Sequence, residues 1–263
     1  MSNECSKAAA RRALDPAFTD LFFVGHGIDI GAGPDGLSAH QDKFPKMQSV
    51  RLWDIPDGDA MLMLGVEDNS LDFAHSSHCL EHLHNPATAI GNWLRIVKPG
   101  GYVVFTIPDE DLYEQGVWPS TFNPDHKCTF TTFKPRSWSP RSVNLLPLLC
   151  SLNPPCQIIK VEQMVAKYDW TGARRDLTWL TDAECAIEVV LRKPTEQELQ
   201  AGGRLRATSS LVTACPAGRA ATRSAAGPAT AGACCARAAS TTSERPSLPR
   251  FASAQRLAAR VRP

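Results

Sequence analysis

The sequence has no Cys-x-x-Cys pair among its nine cysteines and no lysine after residue 200. Its most apolar stretches, around Leu21 to Val24 and Leu145 to Leu152, fall far short of the roughly 18 residues that span a bilayer, so no membrane partner is expected. The start, Met1 to Lys7, lacks the basic-then-apolar layout of a secretory signal, and with scattered cysteines a cytoplasmic, reducing location is the expectation. Charge of one sign is also missing locally. Residues 201–263 hold ten Arg and one acid, Glu244, for +9, whereas residues 1–200, with 18 basic and 26 acidic residues, carry −8. An acidic body is a poor surface for phosphate backbones, which leaves the basic segment as the only place for a nucleic-acid partner.

What is present is enough for a core: 263 residues, 43% hydrophobic and 21% charged, which excludes a fibrous, collagenous or wholly disordered chain. Short apolar runs rich in β-branched or aromatic residues alternate with helical segments, the pattern of a parallel sheet covered by helices. Strands are predicted at Gly27–Ile30, Val50–Trp53, Leu71–Ala74, Tyr102–Ile107, Gln157–Met164 and Cys185–Leu191. One helix is well signalled: Asn85 caps it, Pro86 suits its first turn, and Ala87, Ile90, Leu94 and Val97 share a face. Lys98-Pro99-Gly100-Gly101 stops it. A second helix is predicted from Ser139-Pro140 through Leu149, kinked or shortened by Pro147.

Residues 201–263 contain 18 Ala beside the ten Arg, without sustained apolar periodicity, and cannot bury enough surface to offset their ordering entropy. They are read as a disordered tail, either a functional basic extension or the translation of GC-rich sequence in a shifted or extended frame. Residues 1–200 form the folded domain.

Gly27-Ile28-Asp29-Ile30-Gly31-Ala32-Gly33-Pro34-Asp35-Gly36 is an apolar strand entering a glycine-rich turn. Glycines at 31, 33 and 36 satisfy G-x-G-x-x-G and allow backbone to approach a ligand closely. Asp54 closes the next strand, near the spacing expected of a carboxylate that binds ribose hydroxyls. Taken singly, the glycines fit a tight turn and Asp54 a solvated acid; together they indicate a nucleoside ligand.

With Asp68 to Leu83 (DNSLDFAHSSHCLEHL) and Lys98 to Val104 (KPGGYVV), this loop resembles the class I S-adenosylmethionine-dependent methyltransferases, in particular the small-molecule, type 11-like subgroup. The resemblance runs from about residue 24 to residue 193. It implies a Rossmann-like, doubly wound, mostly parallel sheet with a final antiparallel strand at Ala186 to Lys193. It also implies S-adenosylmethionine as cofactor. Gly31 and Gly33 would lie under it, Asp29 near its methionine amino group, Asp54 on its ribose, and Asp59 and Ala60 beside the adenine. Ser76 and Ser77 would line the sulfonium pocket, through backbone as much as side chain. Met61 would pack on the adenine or simply in the core.

Loops beyond the fifth strand of that family, with Trp118, Phe122 and Phe130, are the expected acceptor side. His126 is the candidate general base and Asp125 its orienting partner or replacement. His78, His82, His84 and Cys79 are not expected to hold a metal, since no further ligand recurs at a diagnostic spacing. The expected activity is methylation of a small molecule, such as at a sugar or other metabolite hydroxyl. A nicotinamide-dependent oxidoreductase and a non-catalytic cofactor-binding scaffold remain open alternatives.

Overall fold

A computed structural model describes residues 4–203 of the chain. Nearly all of the expected disordered tail therefore lies outside the described residues. Among the described residues there are eight strands: β1 Gly25–Ile30, β2 Met47–Trp53, β3 Leu71–Ser77, β4 Val97–Pro108, β5 Thr129–Thr131, β6 Ser142–Asn144, β7 Gln157–Met164 and β8 Ala186–Arg192. The helices are α1 Glu4–Arg12, α2 Pro86–Ile96, α3 Leu145–Cys150 and α4 Glu196–Gln200.

Six strands form one twisted sheet in the order β2-β1-β3-β4-β8-β7. β1, β2, β3 and β4 are parallel, and β8 alone runs against its neighbours β4 and β7. This is the predicted Rossmann-like sheet. The strand that the resemblance counts as fifth is only the fourth in the chain, because residues 55–70 run through turns.

Both faces of the sheet are covered. On one, Ile28, Ile30, Ala74, Val103 and Phe105 pack against Ile90, Trp93 and Leu94 of α2 and Leu145 and Leu149 of α3. On the other, Phe73, Tyr102, Val104 and Val190 meet Cys5 and Ala9 of α1 and the cluster Phe18, Phe22, Phe23 and Phe44. A buried aromatic of this size contributes roughly 1.5–3 kcal/mol through area removed from water, which makes these side chains a main source of the sheet's stability.

α2 begins as predicted: the Asn85 side chain accepts the Thr88 N–H at 3.1 Å, and Pro86 occupies the first turn, where no N–H is needed. Gly100, at φ +87°, lies near the beginning of the long strand β4 and lets the chain turn from α2 into the buried stretch that starts at Tyr102. The second helix differs from the prediction. Residues 142–144 are strand, and the helix runs only from Leu145 to Cys150. Starting there places Pro147 in the first turn, where its missing N–H breaks no helical bond. α1 was not predicted, although Glu4 at its start and Arg11 and Arg12 at its end complement the helix dipole around an Ala-rich centre.

Candidate functional site

In an open parallel sheet, ligands lie beyond the carboxyl ends of the strands, and the expected cofactor residues fall there in this chain. Gly31 follows β1, Asp54 follows β2, and His78 follows β3. Two cavities meet at Gly31 and His78. The smaller, about 160 Å³, is lined by Glu4, Asp29, Gly33, Asp35 and Ser77 among others. The larger, about 610 Å³, is lined by Asp54, Gly58, Asp59, Ala60, Cys79, His82, Leu83 and Asp125.

The glycine turn is shaped for close approach. Gly31 sits at φ +72°, and a Cβ there would come within 2.6 Å of the Cys79 side chain. Gly33, at φ +52°, has open space where a Cβ would stand. Its N–H donates to Asp54 Oδ2 at 3.1 Å, which ties the turn to the end of β2. Asp54 Oδ1 accepts from the Ile55 N–H at 2.8 Å, and Asp57 returns the bond to the Asp54 N–H, so a local capping box fixes the carboxylate. Asp59 Oδ1 accepts the Met61 N–H at 2.7 Å, and the Ala60 carbonyl takes the Trp93 indole N–H at 2.8 Å. Met61 packs against the main core.

Asp29 is buried, with Oδ1 accepting from His75 Nδ1 at 2.6 Å and Oδ2 from the Leu37 N–H at 2.6 Å. The other His75 nitrogen, Nε2, faces Arg12 Nη1 at 2.9 Å, and Arg12 Nε donates to Glu188 Oε2 at 2.7 Å. These partners fix the Nδ1–H tautomer of His75. A fully buried polar chain, Glu188 to Arg12 to His75 to Asp29, thus crosses the sheet and holds Asp29 at the wall of the smaller cavity. Arg11 and Lys160 also pair with Glu188. Burial alone would raise its pKa, but Arg12, Arg11 and Lys160 overcome that and hold the carboxyl far below the usual range.

Three expectations need correction. The Ser76 side chain is turned inward and donates its hydroxyl to the Ile30 carbonyl at 2.9 Å, which leaves Ser76 only its backbone for the pocket, while Ser77 stands on the cavity wall. Phe130 is fully buried in the core, and Phe122 packs on Tyr113 and under Arg174. Asp125 does not orient His126. Its Oδ2 meets His82 Nδ1 at 2.8 Å and its Oδ1 takes Lys127 Nζ at 2.6 Å, whereas His126 Nδ1 is bonded to Glu114 Oε1 at 2.7 Å.

Two histidines, His78 and His82, line the larger cavity, and it is His82 that has Asp125 beside it and the mostly buried His126 behind it. The two rings meet edge to face with centroids 5.1 Å apart. Glu81, buried beneath them, has a lowered pKa: burial opposes its charge, but a hydrogen bond from His78 and the charges of His78, His82 and His126 outweigh it. Asp125 is lowered as well, through its bond from Lys127 and then that from His82. His78 is raised against its burial by Glu81 and Glu4. It sits at φ +52°, an uncommon conformation for a non-glycine residue, where the chain leaves β3. Glu81, Glu114, His75 and Arg12 escaped sequence reasoning, although polar residues inside the apolar strands at 29, 75 and 188 were a visible signal.

A mostly parallel, doubly wound sheet with a glycine turn after its first strand and a carboxylate after its second defines a nucleoside-binding α/β domain. A family profile described as a methyltransferase domain matches residues 5–140, just over half of the chain. The chain belongs to that family and is a class I S-adenosylmethionine-dependent methyltransferase of the type 11-like kind, with S-adenosylmethionine as its cofactor. The nicotinamide alternative is thereby set aside. No curated protein matches the sequence. Among solved structures, a SAM-dependent methyltransferase from Archaeoglobus fulgidus is 18% identical and covers 73% of this chain and 95% of its own, with a TM-score of 0.45. The YcgJ protein of Bacillus subtilis is 13% identical over 71% of this chain and 99% of its own, with a TM-score of 0.45.

The residues present fit the cofactor. The open space over Gly33, the buried carboxylate of Asp29 at one cavity and the carboxylates of Asp54 and Asp59 at the next offer, in sequence, a cradle for an amino acid and a nucleoside. Among the described residues no helix is long and apolar enough to cross a membrane.

Proposed function

We propose that the chain methylates a hydroxyl of a small polar metabolite, such as a sugar, held between the cofactor residues and the His82–Asp125 pair. A single observation carries this reading: one cavity of about 610 Å³ has Asp54, Asp59 and Ala60 on its wall together with His82, Leu83 and Asp125. Gly31 and Gly33 receive the cofactor backbone, Asp29 its amino group, Asp54 its ribose, and Asp59 and Ala60 its adenine. The Ser77 side of the smaller cavity, rather than Ser76, borders the amino-acid end.

When bound, the cofactor supplies an electrophilic methyl group on a sulfonium. The chain's own contribution is alignment of the acceptor oxygen and management of its proton. His82 and Asp125 are placed to do both, because their side chains share a wall of the cavity. His126 supports His82 from behind and is itself held by Glu114. The mixed lining, with Leu83 and Ile55 between polar groups, suits a small amphiphilic acceptor.

Transfer of tritiated methyl groups from the cofactor into a fractionated cell extract tests the reading. Label in an acid-soluble, low-mass fraction is the expected result. Label confined to protein or nucleic acid would overturn the acceptor class, and binding of S-adenosylhomocysteine without any transfer would favour a scaffold.

A further inference from the structure

We propose that Glu81, His82 and His126 form a binding site for a first-row divalent cation at the edge of the larger cavity. One donor atom from each lies within 4.8 Å of the others, and because donors bonded at about 2.0–2.2 Å around a tetrahedral ion stand about 3.3–3.6 Å apart, a small side-chain adjustment would close the three on one ion. Both imidazoles are presented in the manner of ligating histidines. His82 Nδ1 bonds Asp125 and His126 Nδ1 bonds Glu114, at 2.8 and 2.7 Å, which leaves both Nε2 atoms for a ligand. Outer carboxylates of this kind fix the tautomer and raise the basicity of a ligating ring.

Glu81 supplies the independent observation. It is 1% exposed, and its Oε2 has no hydrogen-bond partner. A buried carboxylate oxygen with no donor is costly, and a cation removes that cost. Glu114 Oε2 is buried and unpartnered too, so the cluster holds more acceptor oxygens than its donors satisfy. The frame is braced: the Lys127 N–H donates to the Glu81 carbonyl at 2.8 Å, and the Tyr113 ring lies 5.3 Å from that of His126. The other compact donor group among the described residues, Cys5, Asp29 and His75, has both His75 nitrogens in use.

Two imidazoles and one carboxylate suit zinc, iron, cobalt or manganese better than magnesium or calcium. Three protein ligands leave room for an exogenous oxygen, and His82 borders the cavity. With Nδ1–H on Asp125 and Nε2 on the cation, His82 would position the acceptor oxygen through the ion and leave its proton to Asp125; that role of the cation rests on the function proposed above, whereas its binding does not. His84, exposed, and Cys79 are outside the site, and the third ligand comes from the loop after β4, which no local spacing announces.

Titration of the metal-stripped full chain with Co²⁺, followed by visible absorption, tests the site. Ligand-field bands that saturate at one equivalent are expected. His82→Ala and His126→Ala should abolish them, and Asp125→Asn and Glu114→Gln should weaken binding about 10–100-fold. Binding of S-adenosylhomocysteine by each variant verifies its fold. Absence of bands in wild-type protein that binds S-adenosylhomocysteine would overturn the proposal, as would bands that survive both histidine substitutions or report thiolate ligands. Cobalt bands without methyl transfer would support the site and count against the acceptor reading alone.

Discussion

The 2.8 Å bond between His82 Nδ1 and Asp125 Oδ2 joins the turn after β3 to the loop after β4 and sets both side chains on one cavity wall. Asp125 and His126 are neighbours in sequence, yet each serves a different partner. On the function proposed above, that divergence gives the acceptor-facing role to His82 in place of His126.

His82→Ala should lower turnover by about 10²–10⁴-fold with cofactor affinity near wild type, because the imidazole lies at the acceptor end of the cavity. Asp125→Asn should cost less, since the ring keeps a hydrogen-bond acceptor. Single-turnover transfer with labelled donor separates the two. A fully active His82→Ala protein would return the role to His126.

Asp54→Ala should weaken S-adenosylhomocysteine binding by roughly 1.5–3 kcal/mol, the value of charge-assisted bonds to ribose hydroxyls. It should also cost about 1 kcal/mol of stability, because the carboxylate caps the turn at Ile55 and holds the Gly33 N–H. Calorimetric titration beside a melting curve reads both. Unchanged affinity would make Asp54 a structural cap only.

The two glycines should separate fold from ligand. Gly31→Ala forces a methyl to within 2.6 Å of the Cys79 side chain and should lower the melting temperature clearly. Gly33→Ala meets no atom within 4 Å and should cost only about 1 kcal/mol of backbone strain. Its methyl instead enters the space assigned to the cofactor, so S-adenosylhomocysteine affinity should fall more than stability. Equal affinity in wild type and Gly33→Ala would count against that placement.

Glu188 makes stability depend on acid. Its carboxyl ionises more readily in the folded chain than in the unfolded one, chiefly through Arg12 and Arg11 acting against its burial. Between the two pKa values the unfolded chain therefore binds more protons. The stabilisation is complete above the ordinary carboxylate pKa of about 4.3 and drains as pH falls below it. Glu188→Gln should flatten this acid limb and, by leaving Arg12 buried without its counter-charge, destabilise the fold by about 3–5 kcal/mol at neutral pH. Denaturant midpoints across the acid range measure it. An unchanged acid limb would assign that dependence to other carboxylates.

Removal of residues 204–263 should leave the melting temperature and S-adenosylhomocysteine affinity unchanged, since the packed core ends with β8 and α4 lies just beyond it. A cooperative loss of stability on truncation would show that the segment packs on the domain. Any nucleic-acid binding should vanish with it and fall steeply with salt.

The sheet and α2 were legible in the sequence because their signals are local: β-branched runs, a capping Asn85 followed by Pro86, and the glycine turn closing on Asp54 each depend on residues within a few positions. α3 was misplaced because the position of Pro147 within a helix depends on where packing lets the helix start. The charged chain from Glu188 through Arg12 and His75 to Asp29 draws on α1, β1, β3 and β8, and only strand pairing makes these residues neighbours. The histidine cluster is decided in the same way. Glu81 and His82 lie on one turn, but the partners that orient and complete them, Asp125, His126 and Glu114, arrive from loops after β4 that the sheet brings over the end of β3. Propensity acts along the chain, whereas hydrogen bonding and charge pairing act across space, so the fold was written locally and the chemistry was assembled by packing.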